Sequence, residues 1–128
     1  MQNQILIVED DNVTSYILTQ KLKNYGYTNV CLADSYESTL KAIKKYKPAL
    51  ILMDININGN VDGIETVKTI HQQDAIPIIF ISGTINSEEI REASAMPFCY
   101  FFYKPLDFNV FIDLVRELCE HNIIPVLK

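Results

Sequence analysis

Three short, continuously apolar runs punctuate an otherwise mixed chain: Gln4-Ile5-Leu6-Ile7-Val8, Ala49-Leu50-Ile51-Leu52-Met53 and Pro77-Ile78-Ile79-Phe80-Ile81. Without polar alternation, runs of this length predict strands covered on both faces, the situation of a parallel sheet. Thr28 to Ala33 and the aromatic run Cys99 to Tyr103 predict two further strands. Between the runs the apolar period changes to three or four. Asn12 to about Tyr25 carries Val13, Tyr16, Ile17 and Leu22 at helical spacing and stops at Gly26. Asp34 or Ser35 caps a second helix with Tyr36, Leu40 and Ile43 inward, and Pro48 marks its end.

Asp62-Gly63 leads into a third helix, with Ile64, Val67 and Ile70 on one face and its end near Gln73. Asn86, with Glu89 three residues later, resembles a capping box that opens a short helix through Ile90 and Ala93. Asp107 caps a last helix whose Phe108, Phe111, Ile112, Val115 and Leu118 form a 3.6-period stripe. The order is strand then helix, five times, with no repeat and no linker. Such alternation requires right-handed crossovers and a parallel sheet with helices on both faces. Residues 1–122 are expected to form one domain, and residues 123–128 a tail too short for an output domain.

Composition narrows the class without changing this picture. The chain has 128 residues, 48% of them hydrophobic and 21% charged, which suits one globular domain that needs no disulfide or metal to fold. The three cysteines, Cys31, Cys99 and Cys119, have no CxxC spacing and read as small core residues in a reducing compartment. No run reaches the roughly 18 apolar residues of a membrane span, and the first residues do not form a signal peptide, so the expected location is cytoplasmic. A formal charge of -5 disfavours nucleic-acid binding, and Lys41, Lys44, Lys45 and Lys47 read as a solvated helix end. His71 and His121 sit on polar helix faces and are expected to be neither ligands nor phosphodonors.

The chemistry lies where the strands end. Open parallel sheets place ligands at the carboxyl ends of their strands. Here those ends carry Glu9, Asp10 and Asp11 after the first strand, Asp54 after the third, Ser82 after the fourth and Lys104 after the fifth. Three neighbouring carboxylates raise one another's pKa, and a divalent oxygen-seeking cation such as Mg²⁺ would relieve them. The hydroxyl and the amine suit a phosphoryl group carried on Asp54.

At five places the chain resembles the response-regulator receiver domains, in particular the stand-alone chemotaxis-type regulators. The matching pieces are Ile7-Val8-Glu9-Asp10-Asp11, Leu52-Met53-Asp54, Asp62-Gly63-Ile64-Glu65, Ile81-Ser82-Gly83 and Lys104-Pro105. The resemblance runs from about Gln4 to Cys119. It implies a flavodoxin-like (βα)5 doubly wound fold with strand order 2-1-3-4-5. It also implies a switch of a two-component system or phosphorelay, in which Asp54 accepts a phosphoryl group from a histidine kinase in a Mg²⁺- or Mn²⁺-dependent reaction.

By the same resemblance Asp10 and Asp54 would bind the metal directly, Asn56 through its backbone carbonyl and Glu9 through water. Ser82 would be the switch hydroxyl and Lys104 the pairing lysine, with Lys104-Pro105 a cis peptide. Counting back three from Lys104 makes Phe101 the aromatic switch position, with Tyr100 one step away. The loop from Asn56 through Asn58, Gly59 and Asn60 to Val61 is about one residue longer than the family's commonest pattern and lacks its proline. Expected partners are a sensor kinase or phosphotransfer protein and a downstream protein bound through the last helices and strand. Neither nucleic acid nor membrane is expected to bind, and the domain would be a monomer or a weak phosphorylation-dependent dimer.

Two other classes compete. An aspartyl phosphatase needs a second Asp two residues after the first, and Asn56 stands there. No enzyme activity beyond the domain's own phosphorylation and dephosphorylation is expected. The alternative reading is a phosphorylation-independent interaction module on the same fold.

Overall fold

The computed structural model describes residues 4–57, 59, 61–84 and 86–120. His121, the tail 123–128 and loop residues Asn58 and Asn60 lie outside them. Five strands alternate with five helices: β1 (Ile5–Val8), α1 (Asn12–Asn24), β2 (Val30–Ala33), α2 (Tyr36–Tyr46), β3 (Leu50–Met53), α3 (Gly63–His71), β4 (Ile78–Ser82), α4 (Ser87–Ala95), β5 (Cys99–Tyr103) and α5 (Phe108–Glu120). All pairings are parallel, in the order β2-β1-β3-β4-β5. This is the expected flavodoxin-like topology. The order reverses between β1 and β3, so the crevice for a ligand opens where those strands end.

Strand pleat divides the core in two. Leu6, Val8, Ile51, Met53, Ile78 and Phe80 face α2, α3 and α4, where Ala42, Ile64, Val67, Ile70 and Ala93 cover them. Ile5, Ile7, Leu50, Leu52, Ile79 and Ile81 face the other way, against Leu18 and Leu22 of α1 and Phe111, Ile112 and Val115 of α5. The three central strands are buried at every position, which is why their sequences show no alternation. Fully burying one such side chain contributes about 1.5–3 kcal/mol.

Three local expectations are corrected. Helix α1 turns Ser15, Leu18 and Leu22 inward, while Val13, Tyr16 and Ile17 are 66%, 64% and 49% exposed. The inward stripe of α1 is set by where Leu18 and Leu22 meet α5, and apolar residues outside that stripe have nothing to cover them. The buried residues of α2 are Thr39 and Ala42, while Leu40 and Ile43 pack only partly against the core. Its cap is Ser35, reciprocated by Ser38. The cap of α4 is only half a capping box: Asn86 accepts from the Glu88 and Glu89 amides, but the Glu89 carboxylate accepts from Thr84 Oγ1.

Elsewhere the described side chains take structural roles. Lys41, Lys44, Lys45 and Lys47 are exposed around the end of α2. The His71 ring pairs with the Ile76 carbonyl at 3.0 Å. The cysteines form no disulfide, and burial pushes the Cys99 and Cys119 thiols up to about 12 and about 11. Among the described residues no helix is long and apolar enough to cross a membrane.

Candidate functional site

Register brings the acids together. Val8 pairs with Met53 across β1 and β3, and the Asp54 amide donates to the Val8 carbonyl at 3.0 Å. Glu9 and Asp54 therefore leave neighbouring strands side by side. Carboxylate oxygens of Glu9, Asp10 and Asp54 lie within 4.8 Å of one another. Glu9 is 8% exposed and Asp54 7%, and Asp10 is half-buried. Oxygen donors at this spacing, from three carboxylates with a half-open side, fit a hard divalent cation that keeps some of its water.

Asp11, the third acid of the run, is spent elsewhere. Its carboxylate caps α1, accepting from the Val13 amide at 3.0 Å and the Thr14 hydroxyl at 2.9 Å. These hydrogen bonds, the hydroxyl's first, hold its pKa below the usual carboxylate range.

The opposing charge comes from β5. The Lys104 amide donates to the Ser82 carbonyl at 3.0 Å, which aligns the ends of β4 and β5. The Lys104 ammonium then reaches Glu9 Oε1 at 3.2 Å and Asp54 Oδ2 at 3.5 Å. Burial alone would lower the Lys104 pKa, but the charges of Asp54 and Glu9 outweigh it and the net direction is upward. Glu9 is pushed up by burial and then by the Asp54 charge, more than Lys104 pulls it down.

Ionised Glu9 is therefore a cost to the metal-free fold. That cost is absent below the ordinary carboxylate range and grows as pH rises through the higher folded value. Glu9→Gln is expected to raise the metal-free Tm at neutral pH, with the gain vanishing as the pH falls below the ordinary carboxylate range. A thermal melt series over pH checks this, and a variant no more stable than wild type at neutral pH overturns it.

The remaining residues line the rim. Ser82 is wholly buried, and its Oγ accepts from the Thr84 amide at 3.2 Å. The Asn56 amide donates to Asp54 Oδ1 at 3.1 Å. The Lys104-Pro105 peptide is cis. Phe101 packs on the α2-α3-α4 side of the sheet and Tyr100 on the α1-α5 side. Phe101 is also in edge contact with the exposed ring of Tyr103, centroids 5.0 Å apart.

Two parts of the site are not apparent from motif spacing. Gly63 opens α3 directly under the acid loop, its amide donating to the Ile55 carbonyl at 2.7 Å. A Cβ at Gly63 would lie 2.3 Å from the Asp54 carbonyl oxygen and 2.9 Å from Ile55 Cα. The glycine of Asp62-Gly63 was the available signal. The second part is a cleft of about 300 Å³ between α1 and the β5–α5 connection, walled by Ile17, Leu18, Pro105, Leu106 and Phe108, with Asp54 and Lys104 also in its lining. Its walls come from distant segments, so no local pattern announces it.

Comparison with known proteins agrees with this fold. The family model described as response regulator receiver domain matches residues 5–116. The chain is 34% identical over 122 residues to the transcriptional regulatory protein ZraR of Escherichia coli O157:H7, covering 94% of this chain and 27% of that protein. It is 39% identical over 115 residues to the transcriptional regulatory protein YxdJ of Bacillus subtilis, covering 90% of this chain and 49% of that one. The chain thus spans half or less of the length of these relatives. A response regulator receiver protein from Pseudomonas putida superposes with a TM-score of 0.84 at 24% identity, over 91% of this chain and 98% of that one, a likeness of fold. With the family model covering nearly the whole described sheet and its helices, the chain belongs to the receiver domains of two-component response regulators.

Proposed function

We propose that this domain is a phosphorylation-activated switch in which Asp54 is the phosphoacceptor. The observation that carries the reading is the Asp54 carboxylate itself: almost buried at the mouth of a crevice, beside two further acids and within 3.5 Å of one ammonium. A carboxylate oxygen of Asp54 attacks the phosphorus of a phosphohistidine on a sensor kinase or phosphotransfer protein. The new P–O bond forms as the P–N bond breaks, and the electron pair leaves with the imidazole.

Asp10 and Asp54, with the Asn56 carbonyl and Glu9 through water, would hold a Mg²⁺ or Mn²⁺ ion, which supplies charge neutralisation at the phosphoryl oxygens. The phosphoryl group adds about -1.5 to -2 charges to a site already acidic. Lys104 lies where it can exchange its contact with Glu9 for one with the new oxygens. Ser82 can turn its hydroxyl toward them, and Phe101 can repack against the α4 side of the sheet.

Ile17 lines the cleft, and with the exposed Val13 and Tyr16 of the same helix it suits docking of the donor protein beside Asp54. The downstream protein would read the face built by α4, β5 and α5, and the domain would work in the cytoplasm.

The test is intact-protein mass after incubation with acetyl phosphate, with and without Mg²⁺. One adduct per chain that requires the ion is the expected outcome. Folded protein that takes no phosphoryl group from several donors would favour a phosphorylation-independent interaction module.

A further inference from the structure

We infer that the cleft between α1 and the β5–α5 connection is a binding site for a free small molecule, a monocarboxylate with an unbranched apolar chain of the medium-chain fatty acid class. A second part of the inference, that this occupant hinders access to Asp54, rests on the proposed phosphorylation of that residue.

The walls supply the apolar half of the match. Helix α1 lines the cleft with Thr14, Ile17, Leu18 and Lys21. Their spacing of i, i+3, i+4 and i+7 puts them on one face over about two turns, roughly 10 Å of helix. Pro105, Leu106 and Phe108 line it from the β5–α5 connection, and Leu52 and Ile81 from the sheet. Ile17 lies outside the packed stripe of α1 and leaves 49% of its surface exposed. The polar member of the α1 face, Thr14, donates its hydroxyl proton to Asp11 at 2.9 Å. At about 300 Å³ the cleft stands at the lower end of the range for small-ligand sites. A multiply charged or strongly hydrated ligand is a poor occupant, because these walls offer few polar partners to replace its water.

Charge decides the head group. Four charged side chains line the cleft: Glu9, Lys21, Asp54 and Lys104. Glu9 and Asp54 both contact the Lys104 ammonium, at 3.2 and 3.5 Å. Two carboxylates against one ammonium repel an anion from the strand ends. Lys21 forms no ion pair among the described residues, and its ammonium stands over the Phe108 ring at 5.3 Å. It is the cation of the lining left to complement a ligand. A single carboxylate therefore goes to Lys21, with its chain laid along Ile17, Leu18 and Leu106. Because Asp54 and Lys104 share the same lining, a filled cleft competes with a phosphodonor for the space beside Asp54.

The test is calorimetric titration of the whole chain, in buffer containing Mg²⁺, with hexanoate, octanoate, decanoate, octylamine and 1-octanol. Affinity for the carboxylates is expected to rise about fourfold for each added methylene until the cleft is full. Octanoate should bind more tightly than octylamine. Lys21→Met, which keeps the stem and removes the charge, should weaken octanoate about fivefold and leave 1-octanol unchanged. Ile17→Glu, a change at a half-exposed position checked for folding by its melt, should weaken octanoate at least tenfold. Saturating octanoate should also slow adduct formation from acetyl phosphate at least threefold in wild type and have no effect on the rate in Ile17→Glu.

Affinity indifferent to chain length, octylamine bound as tightly as octanoate, or a folded Ile17→Glu variant that binds like wild type would each overturn the site. An unchanged rate of adduct formation under saturating octanoate would overturn the second part alone. The titration contains no phosphodonor, so absence of any adduct without octanoate would count against phosphorylation of Asp54, and with it the second part, while the site stands or falls on binding.

Discussion

Asp54→Ala is expected to take up no phosphoryl group under conditions that modify every wild-type chain, and to remain folded. The second half of that expectation follows from position. Asp54 stands after the last paired residue of β3, so its replacement leaves the ladder Leu50–Met53 intact. What it loses is one hydrogen bond from the Asn56 amide and the longer of the two contacts to Lys104.

In return, one of three crowded carboxylates disappears, and the largest charge acting to raise Glu9 goes with it. Asp54→Asn keeps the shape and the acceptor while removing the charge. It should melt higher than wild type without metal, because the charge that helps push Glu9 up is gone. Mass spectrometry and thermal melts on both variants check the two halves separately. An adduct of wild-type yield on either variant would move the phosphoacceptor elsewhere, and unfolding of both would show that Asp54 is structural.

Gly63→Ala is expected to cost about 2–3 kcal/mol, roughly 6–10 °C in Tm, and to slow phosphoryl uptake as well. Alanine is ordinarily the better helix former by about 1 kcal/mol. Here the gain is overwhelmed, because the added carbon would stand 2.3 Å from the Asp54 carbonyl oxygen and 2.9 Å from Ile55 Cα. Both are backbone atoms that cannot rotate aside. Either α3 withdraws from Ile64 inward, opening the core, or the Asp54 peptide tilts and carries its carboxylate away from Lys104.

Gly59→Ala is the control. Gly59 has φ +101 but nothing within 4 Å of an added Cβ, so that change should cost only backbone strain, of order 1 kcal/mol. Urea unfolding of both variants discriminates them, and a Gly63→Ala protein as stable as wild type would mean that α3 is not fixed against the acid loop.

The sequence by itself determined the strands and the fold class. Continuous apolar runs such as Ile5–Val8, Leu50–Met53 and Ile78–Ile81 have no exposed face to offer, and that condition admits only a doubly covered parallel sheet. It also placed Glu9, Asp10, Asp54, Ser82 and Lys104 at the carboxyl ends of strands, because each stands within two residues of the end of an apolar run.

Tertiary structure decided what depends on partners distant in the chain. The inward stripe of α1 is Ser15, Leu18 and Leu22 because α5 lies there, a fact its own periodicity does not contain. Asp11 turns to the α1 cap and Asp10 stays with Glu9 and Asp54, although the residues are adjacent and both acidic. Glu89 turns to Thr84 because that hydroxyl lies nearby in the β4–α4 connection, which displaces the reciprocal cap its spacing suggests. Gly63 and the cleft beside α1 became visible only once α3 was laid against the Asp54 peptide and α1 against Pro105 and Phe108. The physical reason is the same in each case: burial along a strand is written in neighbouring residues, whereas a hydrogen bond or a close approach between elements is a property of the pair.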